Sequence, residues 1–346
     1  MKKHLLILLA AGIGCLYGGT AWATPESRAA ANFLLFEPSA RASGMGNALV
    51  AIVDDANATY YNPAALADQK DRSITGTIYR PVPSLADDIY SSFGAYSQPF
   101  GDIGNLGFSL IYTSLGKQTR TDEQGQVQGE FQSFGIALGM SYGTHFTRNM
   151  SLGVTVKLIH EKLTDQGAGR EQGKGSGTSF AGDLGFMWHP FHRLTLAWVL
   201  RNIGPNMTFI DADQADPLPQ NFTVGFAYKV FQRGNSTMLI TTDVYKSLAD
   251  EGFFSFVTGW NDGKPKEEFE DIDYHIGAEW QYNLSEDSAF ALRSGYSHDE
   301  DGNRKPLTFG LGLKYDWAQF DLSYYAEGNT ALRNVFRFTF TAGFAK

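Results

Sequence analysis

The chain has 346 residues, 28 of them Lys or Arg against 37 Asp or Glu, giving a formal net charge of -9. This acidic balance argues against nucleic acid as a partner, because binding it requires a basic footprint. Aromatic residues reach 14%, glycines number 38 and charged residues fall to 19%, below the roughly one quarter typical of soluble domains; after the first residues no run of some twenty apolar side chains occurs, which excludes a helical membrane span.

Met1 to Ala23 carries Lys2, Lys3 and His4, then an apolar run from Leu5 to Leu16, then Ala21-Trp22-Ala23. This is the pattern of a cleaved secretory signal peptide. The single cysteine, Cys15, lies inside it; the alternative of a lipoprotein signal has Gly12 where such signals usually carry leucine. Cleavage after Ala23 leaves a chain that disulfides cannot hold together, so a core or a closed sheet must. Thr24 to Pro38 reads as a tail leading into the next stretch.

Ser39 to Asp68 does not alternate, and it does not read as a strand. Gly44 and Gly46 lack Cβ atoms and permit positive φ and close backbone approach, which predicts a turn against other backbone. Asp54 and Asp55 precede Ala56-Asn57-Ala58, where a carboxylate can accept the free N–H groups of a short helix; Asp55 is the expected N-cap. The helix is expected to stop near Asn62, since Pro63 disfavours the α conformation in the residue before it and suits the first position of a second turn running through Ala64 to Ala67. Asn62 would cap that turn.

From Asp71 onward the sequence turns into segments of about ten residues in which apolar and polar or small residues alternate, as in transmembrane barrel strands with one face to lipid and one to the lumen. Fourteen such segments lie between Arg72 and Phe344, among them Asn105 to Leu115 and Phe131 to Tyr142. The even number suits a bacterial single-chain barrel. Their connections alternate between tight (Gly143 to Asn149, Pro190 to His192, Gln232 to Asn235, Trp317-Ala318) and generous (Gly116 to Glu130, Thr164 to Gly177, Ile203 to Gln220, Leu248 to Asp271), as expected of periplasmic turns and outer loops. The expectation is therefore an all-β, 14-stranded antiparallel transmembrane barrel over 71–346, following a signal peptide over 1–23 and a separate N-terminal segment over 24–70.

The faces separate within strands. Phe336, Phe338, Phe340 and Phe344 oppose Arg337, Thr339 and Thr341, and the first set is expected to face lipid. Several tryptophans, Trp280 and Trp317 among them, fall at segment ends where interfacial aromatic girdles occur. The inward phase collects Lys157, Asp183, Arg201, Lys229, Asp243, His275, Glu279, Arg293, Lys314, Asp321 and Arg337. Both signs are present, which fits a charge network filling the lumen, since charges away from water must pair; a solute path is the other reading. A lumen this polar is a poor match for a tight fatty-acid site, which needs mostly apolar walls.

Catalytic signals are thin. His189-x-x-His192 lacks third and fourth metal ligands, His160-Glu161 lacks the second histidine of a zinc-protease motif, and no G-x-S-x-G elbow is present. The sequence points to a non-enzymatic protein with no cofactor and no metal.

The blocks Asp54-Asp55 followed by Asn62-Pro63-Ala64, then Asn202-Ile203-Gly204-Pro205, Pro217-Leu218-Pro219, and the closing strands from Gly310 to Phe344, taken in this order, resemble the PorV/PorQ family of outer-membrane proteins within the wider FadL-like superfamily. The resemblance implies a barrel in the outer membrane of a Gram-negative-type cell, in contact with its lipid, with a short helical plug at the N-terminus. It also implies one of two roles. Relatives of PorV collect secreted proteins at the type IX translocon and hand them on at the surface, for which the loop aromatics Phe254 and Trp260 would be anchors; FadL-like relatives take up hydrophobic small molecules past a gating plug.

Overall fold

The computed structural model describes residues 29–122, 124–165, 175–210, 215–249, 272–299, 304–326 and 335–344. The expected signal peptide, Phe254 and Trp260 lie outside the described residues. Fourteen strands follow one another: β1 (Arg72–Tyr79), β2 (Ile89–Pro99), β3 (Asn105–Thr121), β4 (Val127–Thr147), β5 (Met150–Lys162), β6 (Ser176–Phe191), β7 (Leu194–Ile203), β8 (Asn221–Arg233), β9 (Ser236–Ser247), β10 (Ile272–Asn283), β11 (Ser288–His298), β12 (Leu307–Tyr315), β13 (Ala318–Ala326) and β14 (Phe336–Phe344). They close into one barrel in sequence order, with β1 sealed antiparallel to β14 from Arg72↔Phe344 to Tyr79↔Arg337. Closure leaves no edge strand among the described residues, as a bilayer requires, because unpaired backbone amides facing hydrocarbon are costly. Among the described residues no helix is long and apolar enough to cross a membrane; the strands do the crossing.

Side-chain alternation sets which surface meets lipid. Phe336, Phe338, Phe340 and Phe344 are exposed on the outside of β14, whereas Arg337, Thr339 and Thr341 are buried within. Leu307, Phe309, Leu311 and Leu313 do the same on β12, opposite buried Thr308. An exposed apolar belt of this extent is stable only against lipid. At the short-turn end Trp280 meets Phe290 edge-on at 5.5 Å and Trp317 stacks on Phe344 at 5.8 Å, the amphipathic rings expected at a headgroup boundary.

Two expected connections differ by more than a residue or two at their ends. β3 and β4 extend into a hairpin beyond Ser114, with Lys117↔Gln132 and Thr119↔Glu130 paired after a register shift, so most of Gly116 to Glu130 is strand. A hairpin exposed on both faces needs no apolar alternation, and its sequence therefore carried no periodic signal. Gly143, expected in a turn, instead pairs with Asn105 and Gly153 inside the sheet, and β4 runs on to Thr147. The glycine there serves clearance: an added Cβ would lie 2.5 Å from the Pro63 carbonyl oxygen.

Residues 29–70 lie inside the barrel. They form a 3-10 turn at Asn32–Leu35, four-residue helices at Ala40–Ser43 and Ala58–Tyr61, and a 3-10 helix at Pro63–Asp68. Leu34, Met45, Leu49, Tyr61 and Leu66 are buried in one cluster with the inward-facing Ile111, Ala137, Ile159 and Met187. Helices of one turn do not persist in water on their own, so the barrel wall must supply what holds them.

Candidate functional site

The insert is tied to the wall mainly through its backbone. Asp243 Oδ2 accepts the N–H groups of Leu49 and Val50 at 2.8 and 2.9 Å, Thr308 Oγ1 accepts that of Gly46 at 2.9 Å, and Thr339 Oγ1 accepts that of Ala40 at 2.9 Å. Glu161 Oε2 accepts the Ala31 N–H at 2.9 Å. These bonds satisfy the amides that short helices and turns leave open. Gly46 has φ +64, and a Cβ there would lie 2.5 Å from the Tyr296 carbonyl oxygen; Gly44 packs on Gly310, where a Cβ would come within 2.8 Å of its Cα.

The expected caps divide. Asn62 ends the helix with φ -160, and its Oδ1 accepts the Ala64 N–H at 3.0 Å beside Pro63 at the first position of the 3-10 helix. Asp55 Oδ1 accepts the Asn57 N–H at 2.8 Å, closing the turn before the helix, while Asn57 itself stands at the helix boundary without a side-chain cap. Burial pushes the Asp55 carboxyl up to about 6, with the neighbouring Asp54 charge adding to it. Asp54 caps nothing; it is 71% exposed and pairs with Arg41 Nη1 at 2.6 Å.

Arg41 connects insert and wall electrostatically. Its Nε and Nη2 bond Glu279 Oε2 and Oε1 at 2.9 and 2.8 Å, a bidentate fork. Arg293 Nε bonds the same Glu279 Oε2 at 2.6 Å and Arg293 Nη1 reaches Asp321 Oδ1 at 2.6 Å. A buried chain Arg41–Glu279–Arg293–Asp321 thus crosses β10, β11 and β13. A second pair joins Lys157 Nζ to Asp183 Oδ1 at 2.8 Å, with Asn202 donating its backbone N–H to the same oxygen at 2.8 Å.

The other inward residues have different fates. Lys229 and Lys314 sit at the turn ends of β8 and β12, exposed and outside the network, because inward phase near a rim faces water rather than the core. Asp243 bonds backbone instead of a cation. Arg201 and Arg337 are buried, at 7% and 9% exposure, but form no ion pair among the described residues; Arg201 lies over the Tyr60 ring at 5.6 Å, and Arg337 over Tyr79 at 4.4 Å and Tyr325 at 5.3 Å. His189, read as half of a weak metal motif, contacts Asp68 Oδ2 at 3.1 Å, while His145 approaches the other oxygen at 3.6 Å, so both histidines meet the end of the insert.

Sequence reasoning missed Arg41 as the bridge and Glu161 as an acceptor; a lone arginine beside Gly44 offered the only signal for the first. It quoted the Asn202 and Pro217 blocks without a role. Asn202 takes φ +60 and donates from Nδ2 to the Pro219 carbonyl at 2.9 Å, while Pro217 accepts the Ala30 N–H at 2.9 Å and Leu218 is buried against the insert. The two blocks fold together over the start of the insert.

Between the insert and the long-connection end remains a cavity of about 410 Å³, walled by Leu34, Phe36, Tyr60, Tyr79, Arg201, Arg337 and others. Glu37 also faces it, and burial pushes its carboxyl up to about 7 against the pull of Arg201 and Arg337.

A closed 14-strand antiparallel barrel with a lipid-facing apolar belt and a polar lumen defines an outer-membrane β-barrel protein. Solved structures of similar fold include a Pseudomonas aeruginosa FadL homologue (13% identity, 93% of this chain and 99% of that one, TM-score 0.54), the CymD monoaromatic hydrocarbon channel (11%, 90% and 99%, 0.57) and the Pseudomonas putida toluene transporter TodX (13%, 88% and 98%, 0.56). A search of curated protein sequences found no match. The family model described as type IX secretion system protein PorV matches residues 25–251, and the chain belongs to that family.

Proposed function

We propose that this barrel engages secreted protein cargo at its long-connection end, in type IX-like secretion or surface attachment. Family membership over residues 25–251 carries the reading. The lumen supports it: the insert is fastened to β9, β10, β12 and β14 by buried side chains, which suits a platform better than an open channel. Cargo would meet the outer loops, where Phe254 and Trp260 supply the aromatic anchors typical of interface hot spots. The test replaces both with serine and measures surface display of secreted proteins. Display should fall while barrel abundance and heat-modifiable gel mobility stay unchanged; undiminished display overturns the assignment of these loops.

The cavity of about 410 Å³ favours a second reading, uptake of hydrophobic small molecules, as in the toluene transporter and the monoaromatic hydrocarbon channel of similar fold. Native mass spectrometry separates the two. A stoichiometric co-purifying hydrophobe that disappears when lumen residues change, and persists when the loop aromatics change, would move the conclusion to uptake.

A further inference from the structure

The cavity above the insert holds an imbalance that neither reading uses. Its wall carries Arg201 and Arg337, more than nine-tenths buried, and the Nε of each and one Nη of Arg337 have no hydrogen-bond partner. Leaving charged donors unmet in a buried site is expensive. The other cations lining the cavity are paired, Lys157 with Asp183 and Arg304 with Asp299. Glu37 shares the cavity with both arginines, yet it forms no salt bridge with either and its Oε2 bonds nothing. The guanidinium of Arg337 is held between the Tyr79 and Tyr325 rings, and that of Arg201 lies over Tyr60, so their faces are covered while unmet N–H edges remain.

We infer that this cavity binds a compact organic anion, a carboxylate on an aromatic or similarly flat apolar body. Unmet N–H groups of Arg201 and Arg337 meet the carboxylate, and the tyrosine rings with Leu34, Phe36 and Val335 enclose the body. The volume of about 410 Å³ falls in the roughly 300–1,000 Å³ range of small-molecule sites. Arginine suits the role because its donors match a carboxylate and it stays charged. The inference does not depend on the cargo proposal, whose test changes the outer loops and not the lumen.

The experiment is isothermal titration of the full barrel, in a nonionic detergent, with 4-ethylbenzoate and with its neutral counterpart 4-ethylbenzamide. The acid should bind at one site and at least tenfold more tightly than the amide. Arg337→Met and Arg201→Met should each weaken the acid at least tenfold and leave the amide unchanged. With every titration run at about pH 8, above the value of about 7 to which burial raises Glu37, Glu37→Gln removes a charged, competing carboxylate from the same cavity and should tighten the acid severalfold; this variant decides the matter if an arginine variant fails to show heat-modifiable mobility. Equal binding of acid and amide, no binding of the acid at millimolar concentration to the folded barrel, or no gain in Glu37→Gln would overturn the inference.

Discussion

Arg41 makes two ion pairs of nearly equal length, 2.6 Å to Asp54 and 2.8 Å to Glu279, whose surroundings differ sharply. The Asp54 side chain is 71% exposed, that of Glu279 only 4%, and Arg293, the other partner of Glu279, is 3% exposed. Breaking a buried pair by removing one partner costs about 3–5 kcal/mol, because the remaining charge is stranded, whereas an exposed pair is worth about 0–1. Glu279→Gln strands parts of two guanidinium groups, but Arg41 keeps Asp54 and Arg293 keeps Asp321, so the expected loss is at the low end, about 3 kcal/mol. Asp54→Asn should cost less than about 1 kcal/mol. Urea unfolding of the purified barrel in detergent, followed by tryptophan fluorescence, gives the global loss, and limited proteolysis of the N-terminal segment reports whether the insert loosens first. Equal effects of the two substitutions would refute the argument that burial, and not distance, sets the strength of these pairs.

Three further outcomes follow from the geometry. Gly153 faces the insert, and a Cβ there would lie 2.2 Å from the Pro63 carbonyl carbon; Gly153→Val should therefore unseat the Pro63–Asp68 helix, exposing the segment to protease, at a cost of about 1–3 kcal/mol or more for overpacking, and protease resistance equal to wild type would count against that close approach. A cysteine at Leu85, which is 68% exposed in the β1–β2 connection, should react with a membrane-impermeant maleimide on intact cells, whereas one at Ser285 in the β10–β11 turn should react only after the outer membrane is opened; the reverse pattern would invert the barrel. Glu37 has its carboxyl raised by burial from 4.5 to about 7, so the folded state holds its proton more tightly than the unfolded state. Stability from this group is full below pH 4.5 and is lost as pH rises to 7, by about 3 kcal/mol at 1.36 kcal/mol per unit. Asp55 acts in the same direction between 3.8 and about 6, and Glu37→Gln should flatten the upper part of the profile of insert protection against pH.

The barrel was legible because its strands repeat one physical demand. Each must offer apolar side chains to lipid at every second position, and Phe336 through Phe344 or Leu307 through Tyr315 state that period without reference to anything distant. The insert answers to no such period. Its cap at Asn62 was readable because capping is local, whereas the helix starts after Asn57 and not after Asp55, whose carboxylate closes the preceding turn instead; its attachment depends on residues far away in sequence: Ala40 on Thr339, Gly46 on Thr308, Arg41 on Glu279. Phase alone placed Lys229 and Lys314 in the network, because phase reports direction and not depth along the strand. The same blindness made Gly143 look like a turn, when its absent side chain makes room for a neighbour that no local pattern reveals.

That division bears on how the molecule must assemble. The insert's one-turn helices bury apolar side chains such as Met45, Leu49 and Leu66, but their amides are completed by Asp243, Thr308 and Thr339 on strands β9, β12 and β14. Those acceptors converge only once the last strand has paired with the first. A chain of isolated turns has little stability until then, so the N-terminal segment, although synthesised first, is completed last. Ordering of the insert should therefore report closure of the β1–β14 seam, and a substitution that prevents closure should leave residues 29–70 open to protease even when the other strands are paired.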